Sequence, residues 1–229
     1  ETNAAIAGAL DAGATDIVVR DSHGSARNIL PDLLRPEARL IRDWSTPLSM
    51  MEGIDRTYDA VVFVGYHARA GTPDAVLKHT MSLSLTDVIL NGVRMPEGGW
   101  NAAIAGHYDV PVVFLSGDSA ICKQIREVIG PIETAAVKES MGSTALMLHP
   151  TRAQEMIRKG VAAALRNLQA YKPYKPNPPY KLEIVFTEET LARRAADVPG
   201  AERTGELSVA FTSNDLLDIV KFFSLARRR

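Results

Sequence analysis

The sequence predicts an α/β fold, a mostly parallel central sheet with flanking helices, followed by a C-terminal α/β portion. Three observations carry this. Asp16-Ile17-Val18-Val19-Arg20, Asp59-Ala60-Val61-Val62-Phe63-Val64-Gly65 and Val110-Pro111-Val112-Val113-Phe114-Leu115 are apolar runs without alternation, as strands covered on both faces are. Helical stretches lie between or after them, at 100–106 and 119–129, the alternation of a parallel sheet. Each run also ends in a polar cluster: Asp21-Ser22-His23-Gly24, Tyr66-His67-Ala68-Arg69 and Ser116-Gly117-Asp118. Open α/β sheets collect ligands at that end of their strands.

Taken in order, Ala4-Ala5-Ile6-Ala7-Gly8-Ala9-Leu10 reads as a helix stopped by Gly13 just past its end. It begins without a capping run, and Glu1 is not an initiator Met, so a leading segment is expected to be missing from the chain. Between the second and third strands, 81–90 alternates in its first half and meets Asn91-Gly92, a strand entering a tight hairpin turn. Residues 151–171 form the clearest helix, with Met156, Ile157, Val161, Leu165 and Leu168 on one face. The stretch 172–179 carries four prolines, which remove donors and fix φ, and reads as a stiff linker. Beyond it come a strand (181–186), a helix (188–196), a strand (207–211) and a helix (214–226). The expected organisation is a core over 1–171 with its first strand upstream, a linker at 172–180, and a C-terminal portion or subdomain over 181–229.

Composition excludes several function classes. The 229 residues are 46% hydrophobic and 23% charged, ordinary for a globular chain. Twenty-six Lys+Arg against 27 Asp+Glu leave a net charge of -1, without the basic field that non-specific nucleic-acid binding needs. Cys122 is the single cysteine, which excludes an internal disulfide framework and a Cys-rich zinc knuckle. No apolar run approaches the roughly 18 residues of a membrane span, and no signal pattern opens the chain. A soluble, cytoplasmic protein with no nucleic-acid or membrane partner is expected.

Among residues able to carry chemistry, His23 and His67 each follow a strand. Imidazoles on rigid strand ends with carboxylates nearby suit zinc, which takes nitrogen and oxygen donors and keeps a position open. One such histidine is ordinarily structural; two in equivalent positions leave a metal site and a structural role open side by side. Asp21 can ligate, orient an imidazole, or close its strand with an Asx-turn. Glu97, in Met95-Pro96-Glu97-Gly98-Gly99-Trp100-Asn101, can approach a metal or substrate through its permissive glycines, or simply favour a helix N-terminus. His79 has the intrinsic pKa of a general base, and Lys78 beside it, if close in space, would disfavour its protonation. The alternative for His79 is packing.

Ser22, Ser25 and Ser116 lack a nucleophile-elbow context, and 65–71 has no phosphate-loop spacing. Cys122 reads as a small core residue and Arg227-Arg228-Arg229 as a solvated tail. Nothing beyond residue type recommends His107 or His149.

One ordered set of segments is specific. Asp21-Ser22-His23, Gly65-Tyr66-His67-Ala68-Arg69-Ala70, His79-Thr80-Met81, Glu97 with Asn101-Ala102, Tyr108-Asp109-Val110-Pro111-Val112 and Thr134-Ala135-Ala136-Val137-Lys138 follow one another. Val198-Pro199-Gly200 and Thr204-Gly205 come after them. Over nearly its whole length the chain resembles peptidase family M55, the zinc-dependent D-aminopeptidases associated with bacterial dipeptide-transport operons. The resemblance implies His23, His67 and Glu97 as zinc ligands and His79 as the catalytic histidine, nucleophile or base. It implies two zinc ions per chain in the complete site, short peptides beginning with a D-residue such as D-Ala as substrates, and a ring-like homo-oligomer. Trp44 and Phe222-Phe223 are the apolar residues expected at such an interface.

One departure stands out. The family's Asp-x-Glu-Gly ligand pair lies on the strand upstream of the first helix. Met51-Glu52-Gly53-Ile54 follows Asp21-Ser22-His23 in order, so Glu52 is not assigned to metal. This chain is therefore expected to hold zinc weakly or at one site. Two rival readings follow: a non-catalytic binding protein that keeps the fold, and another metal-dependent amidohydrolase.

Overall fold

The computed structural model describes residues 1–45 and 47–227. In chain order the elements are α1 (Thr2–Asp11), β1 (Ile17–Arg20), β2 (Ala38–Ile41), β3 (Val61–Tyr66), β4 (Leu85–Leu90), β5 (Val93–Arg94), α2 (Glu97–His107), β6 (Val112–Asp118) and α3 (Ser119–Ile129). They continue with β7 (Glu133–Met141), β8 (Thr144–Met147), α4 (Pro150–Arg166), β9 (Tyr180–Phe186), α5 (Glu189–Ala196), β10 (Glu202–Arg203), β11 (Ser208–Ser213) and α6 (Leu216–Ala226).

Three sheets result. β1 and β2 form a parallel pair. The central sheet runs β3-β6-β7-β8, its first three strands parallel and β8 returning antiparallel. The third sheet, β10-β11-β9-β4-β5, is antiparallel throughout. The α/β class with a parallel central sheet is thus as the apolar runs predict, and all seven residues of β6 are buried.

Two cores explain that burial. Val113 and Phe114 of β6 pack with Ile157 and Val161 of α4 and with Ala5 and Ala9 of α1. Val112 and Leu115 belong instead to a larger core with α2, α3 and the antiparallel sheet. Full burial of four such apolar side chains stabilises by roughly 1.5–3 kcal/mol each, which is why this run tolerates no alternation.

The structure departs from the expected elements in definite places. β2, β7 and β8 have no counterpart in the sequence reading: β2 is four residues long, and β7 is Ala- and charge-rich rather than β-branched. The strand at 81–90 starts only at Leu85, because 81–84 turns. The long helix ends at Arg166 and gives way to a 3-10 turn, Leu168–Ala170. Its buried positions are Ala153, Ile157, Val161, Ala162 and Ala164, while Met156 is exposed; small residues face inward because α1 lies close against α4. Phe222 and Phe223 are also corrected. Both are buried, with Phe223 4.5 Å from the Trp100 ring, so of the expected interface aromatics only Trp44 is exposed.

The Asn91-Gly92 turn is as expected, with φ of 50° and 81°, the doubly left-handed turn of a two-residue hairpin. The linker is pinned by this turn, since Asn91 donates to Asn177 O at 2.8 Å. It also crosses α2 where only glycine fits, because a Cβ on Gly106 would lie 1.9 Å from Tyr174 O. Past the linker, β9 pairs with β4 from the middle of the chain, so the C-terminal strands share a sheet with β4–β5. Among the described residues no helix is long and apolar enough to cross a membrane.

Candidate metal centre

A strand end, a loop and a helix start bring three side chains to one point. β3 ends at Tyr66 and hands over to His67. This register needs glycine opposite, since a Cβ on Gly117 of β6 would sit 2.2 Å from Tyr66 O. The chain then loops out and returns to place the His79 ring 4.3 Å from that of His67. Glu97, buried at the first turn of α2, supplies the carboxylate between them. His67 Nε2 lies 3.6 Å and His79 Nε2 3.4 Å from Glu97 Oε1. One ligand atom from each residue falls within 4.8 Å of the others.

Hydrogen bonds orient these groups. His67 Nδ1 faces Ala68 O at 3.1 Å, so it carries the proton and leaves Nε2 as a free donor of electrons. Glu97 Oε1 accepts the Met81 N–H at 2.7 Å, and Met81 makes that bond from a left-handed φ of 62°, rare for a non-glycine residue. Thr80, buried, accepts the Ala70 N–H at 3.3 Å and donates to Met95 O at 3.2 Å, joining both ends of the loop to the start of α2. Asp118 caps α3 by accepting the Ile121 N–H and also accepts the Val76 N–H, each at 2.9 Å. Gln124 accepts the Arg69 N–H and donates to Thr72.

Charge follows from burial. His79 has its pKa held below the ordinary imidazole value, first by desolvation and then by His67 and His23, against the pull of Glu97. Lys78 is exposed and is not among the groups that depress it. His79 Nδ1 is buried with no hydrogen-bond partner. Burial likewise pushes the Tyr66 phenol up, with Asn101 donating to it at 2.9 Å.

The remaining candidates fall elsewhere. His23 is exposed on the loop after β1, outside the group of three but near enough to act on His79. Buried Asp21 closes that loop by accepting the N–H groups of Asn28 (2.6 Å) and Ile29 (2.7 Å). Burial works to raise its pKa, but these bonds outweigh it and hold the carboxyl below its usual range. Glu52 is not part of the group. Ser116 accepts the Gly65 N–H, and Cys122 is buried with its thiol pushed up to about 11. His149 caps α4 through Thr151 N–H, and His107 meets Tyr108 edge to face.

Arg227 is not a solvated tail residue. It stacks over Phe223 at 4.4 Å, and burial lowers its pKa while the Glu97 charge opposes that. Arg228 and Arg229 lie outside the described residues. Sequence reasoning missed Thr80 and the second role of Asp118. An Asp directly before a helix was a readable cap signal; its bond to Val76 was not.

Known proteins resemble this chain in sequence and in fold. The profile of the D-aminopeptidase family, peptidase M55, matches residues 1–225. A D-aminopeptidase of Bacillus subtilis (strain 168) is 38% identical over 220 residues, which is 95% of this chain and 80% of the relative. A solved structure, the Zn-dependent D-aminopeptidase DppA from Bacillus subtilis, bears the description of a self-compartmentalizing protease. It matches with a TM-score of 0.93 at 36% identity, covering 99% of this chain and 85% of its own.

Proposed function

The chain belongs to peptidase family M55, the D-aminopeptidases, and from that premise we propose a zinc-dependent enzyme working at the His67–His79–Glu97 cluster. It is a metallo-aminopeptidase, cleaving the N-terminal peptide bond of peptides that begin with a D-residue. One observation carries the site: the Nε2 atoms of His67 and His79 converge on one buried carboxylate oxygen, and the Nδ1 of His79 has no partner. The His67 nitrogen and the Glu97 oxygen fit zinc, which favours histidine nitrogen and carboxylate oxygen and keeps a coordination position open in catalytic sites, and His79 stands beside them as an acid–base group. His23, His67 and Glu97 are the ligands on this reading, with two ions in the complete site. Zinc supplies Lewis acidity, which polarises a scissile carbonyl and acidifies water.

The protein's own groups do the rest. His67 presents Nε2 because Ala68 O fixes its other nitrogen. Glu97, buried at the first turn of α2, presents Oε1 to both imidazoles, where Met81 N–H orients it. His79, kept neutral by burial and its histidine neighbours, takes a proton at Nε2 during attack and returns it to the leaving amine. The substrate is a short peptide, D-Ala at its N-terminus, and the enzyme is a cytoplasmic one of the dipeptide-transport type. It assembles with copies of itself, a reading supported by the self-compartmentalizing description of its structural relative.

Elemental analysis and turnover of D-Ala and L-Ala dipeptides test this together. His67→Ala is expected to lose zinc and activity. His79→Ala is expected to keep zinc while kcat falls about 10²- to 10⁴-fold. A His79→Ala enzyme with unchanged kcat removes the catalytic role, and metal-free active protein removes the zinc.

A further inference from the structure

The β7–β8 hairpin is the element its own fold leaves least covered. β6 ends at Asp118, which pairs with Lys138, so from Lys138 to Met147 β7 and β8 have only each other. Strand alternation sends Glu139, Met141, Thr144 and Leu146 to one face of this ribbon and Lys138, Ser140, Ala145 and Met147 to the other. Met141, Leu146 and Met147 are 60%, 58% and 65% exposed, so large apolar side chains stand in water on both faces. A two-stranded ribbon wet on both faces is marginal by itself, and β8 adds an edge without a partner strand among the described residues.

We infer that this ribbon is the arm by which one copy of the chain docks on a second copy. The inference rests on the assembly reading given above and names the element that makes the contact. Its chemistry selects the occupant. Lys138 and Glu139 cancel, leaving no charge to draw a nucleic acid or an anionic lipid, whereas soft Met and Leu side chains suit a packed protein surface. Its position fits as well. β7 runs parallel to β6, and β6 to β3, so the ribbon leaves the sheet at the end where His67 follows β3. The structural relative that assembles covers 99% of this chain, ribbon included.

Sedimentation velocity of the full chain against a Leu146→Asp/Met147→Asp double variant tests this. The wild type is expected to sediment as an assembly. The variant is expected to sediment as the 24.9 kDa chain, its association weakened about a hundredfold or more, with zinc content per chain unchanged. A variant assembled like the wild type overturns the ribbon and leaves the assembly reading standing. A wild type that sediments as single chains overturns the assembly reading itself, and the second-copy occupant with it. Should the double variant fail to fold, Met141→Cys carrying a benzophenone label decides, since Cys122 is only 3% exposed and spared from labelling. In a mixture of heavy-isotope and ordinary chains, heavy-to-light cross-links support the docking, and cross-links confined to one chain, or none, overturn it.

Discussion

Two segments project beyond the ends of the parallel strands, and they are held in opposite ways. The loop from His67 to Ser84 has almost no regular structure, yet its backbone is tied at Ala70, Val76 and Met81 to Thr80, Asp118 and Glu97, all buried. The β7–β8 ribbon has a regular ladder and almost nothing beneath it. Fixity here comes from bonds to buried side chains, which water cannot replace cheaply, and not from regularity. A site that must hold two imidazoles against one carboxylate stands on the first kind of segment; a surface free to meet another chain stands on the second.

The contrast breaks hardest at Asp118. Asp118→Ala strips two N–H groups of their acceptor, one of them the α3 cap, and is expected to cost about 3 kcal/mol in urea unfolding and to lower turnover by freeing Val76. Thr80→Val keeps the shape but leaves Ala70 N–H and Met95 O without a partner. A loss of about 2 kcal/mol is expected, with weaker zinc retention on dialysis as the functional readout.

Asp21 extends the tethered class to the loop bearing His23, and its effect depends on pH. Its folded pKa is depressed, so its contribution is complete above the unfolded value of 3.8 and is lost as pH falls through the folded one. The wild-type advantage over Asp21→Asn, about 1 kcal/mol at pH 7, is expected to shrink as pH falls below 3.8, as urea midpoints at pH 7 and pH 2.5 would register. Thr144→Ala on the ribbon removes only a bond to Met141 O at an exposed position. It is expected to change chain stability by no more than about 0.5 kcal/mol; a larger loss would place the ribbon with the tethered loop.

Much of the framework was legible because it rests on local patterns. Unbroken apolar runs gave β1, β3 and β6, and with them the strand ends that carry His23 and His67. The Asn91-Gly92 pair gave the β4–β5 turn. β7 was illegible, since Thr134-Ala135-Ala136-Val137-Lys138 has no strand signature of its own and becomes a strand by pairing with β6. The partnership of β4 with β9, roughly a hundred residues apart, leaves no local trace either.

The site divides along the same line. Residue types and their order in the chain put His23, His67, His79 and Glu97 forward, because zinc and proton transfer need imidazole and carboxylate whatever the fold. Distances are another matter. That Glu97 faces both His67 and His79, that Thr80 and Met81 set that geometry, that Lys78 stays exposed, and that Phe222 and Phe223 lie inside were decided only when separate elements packed. Composition and periodicity fix what each segment can bury; which buried groups meet depends on long-range closure of the chain, and a one-dimensional pattern does not encode that directly.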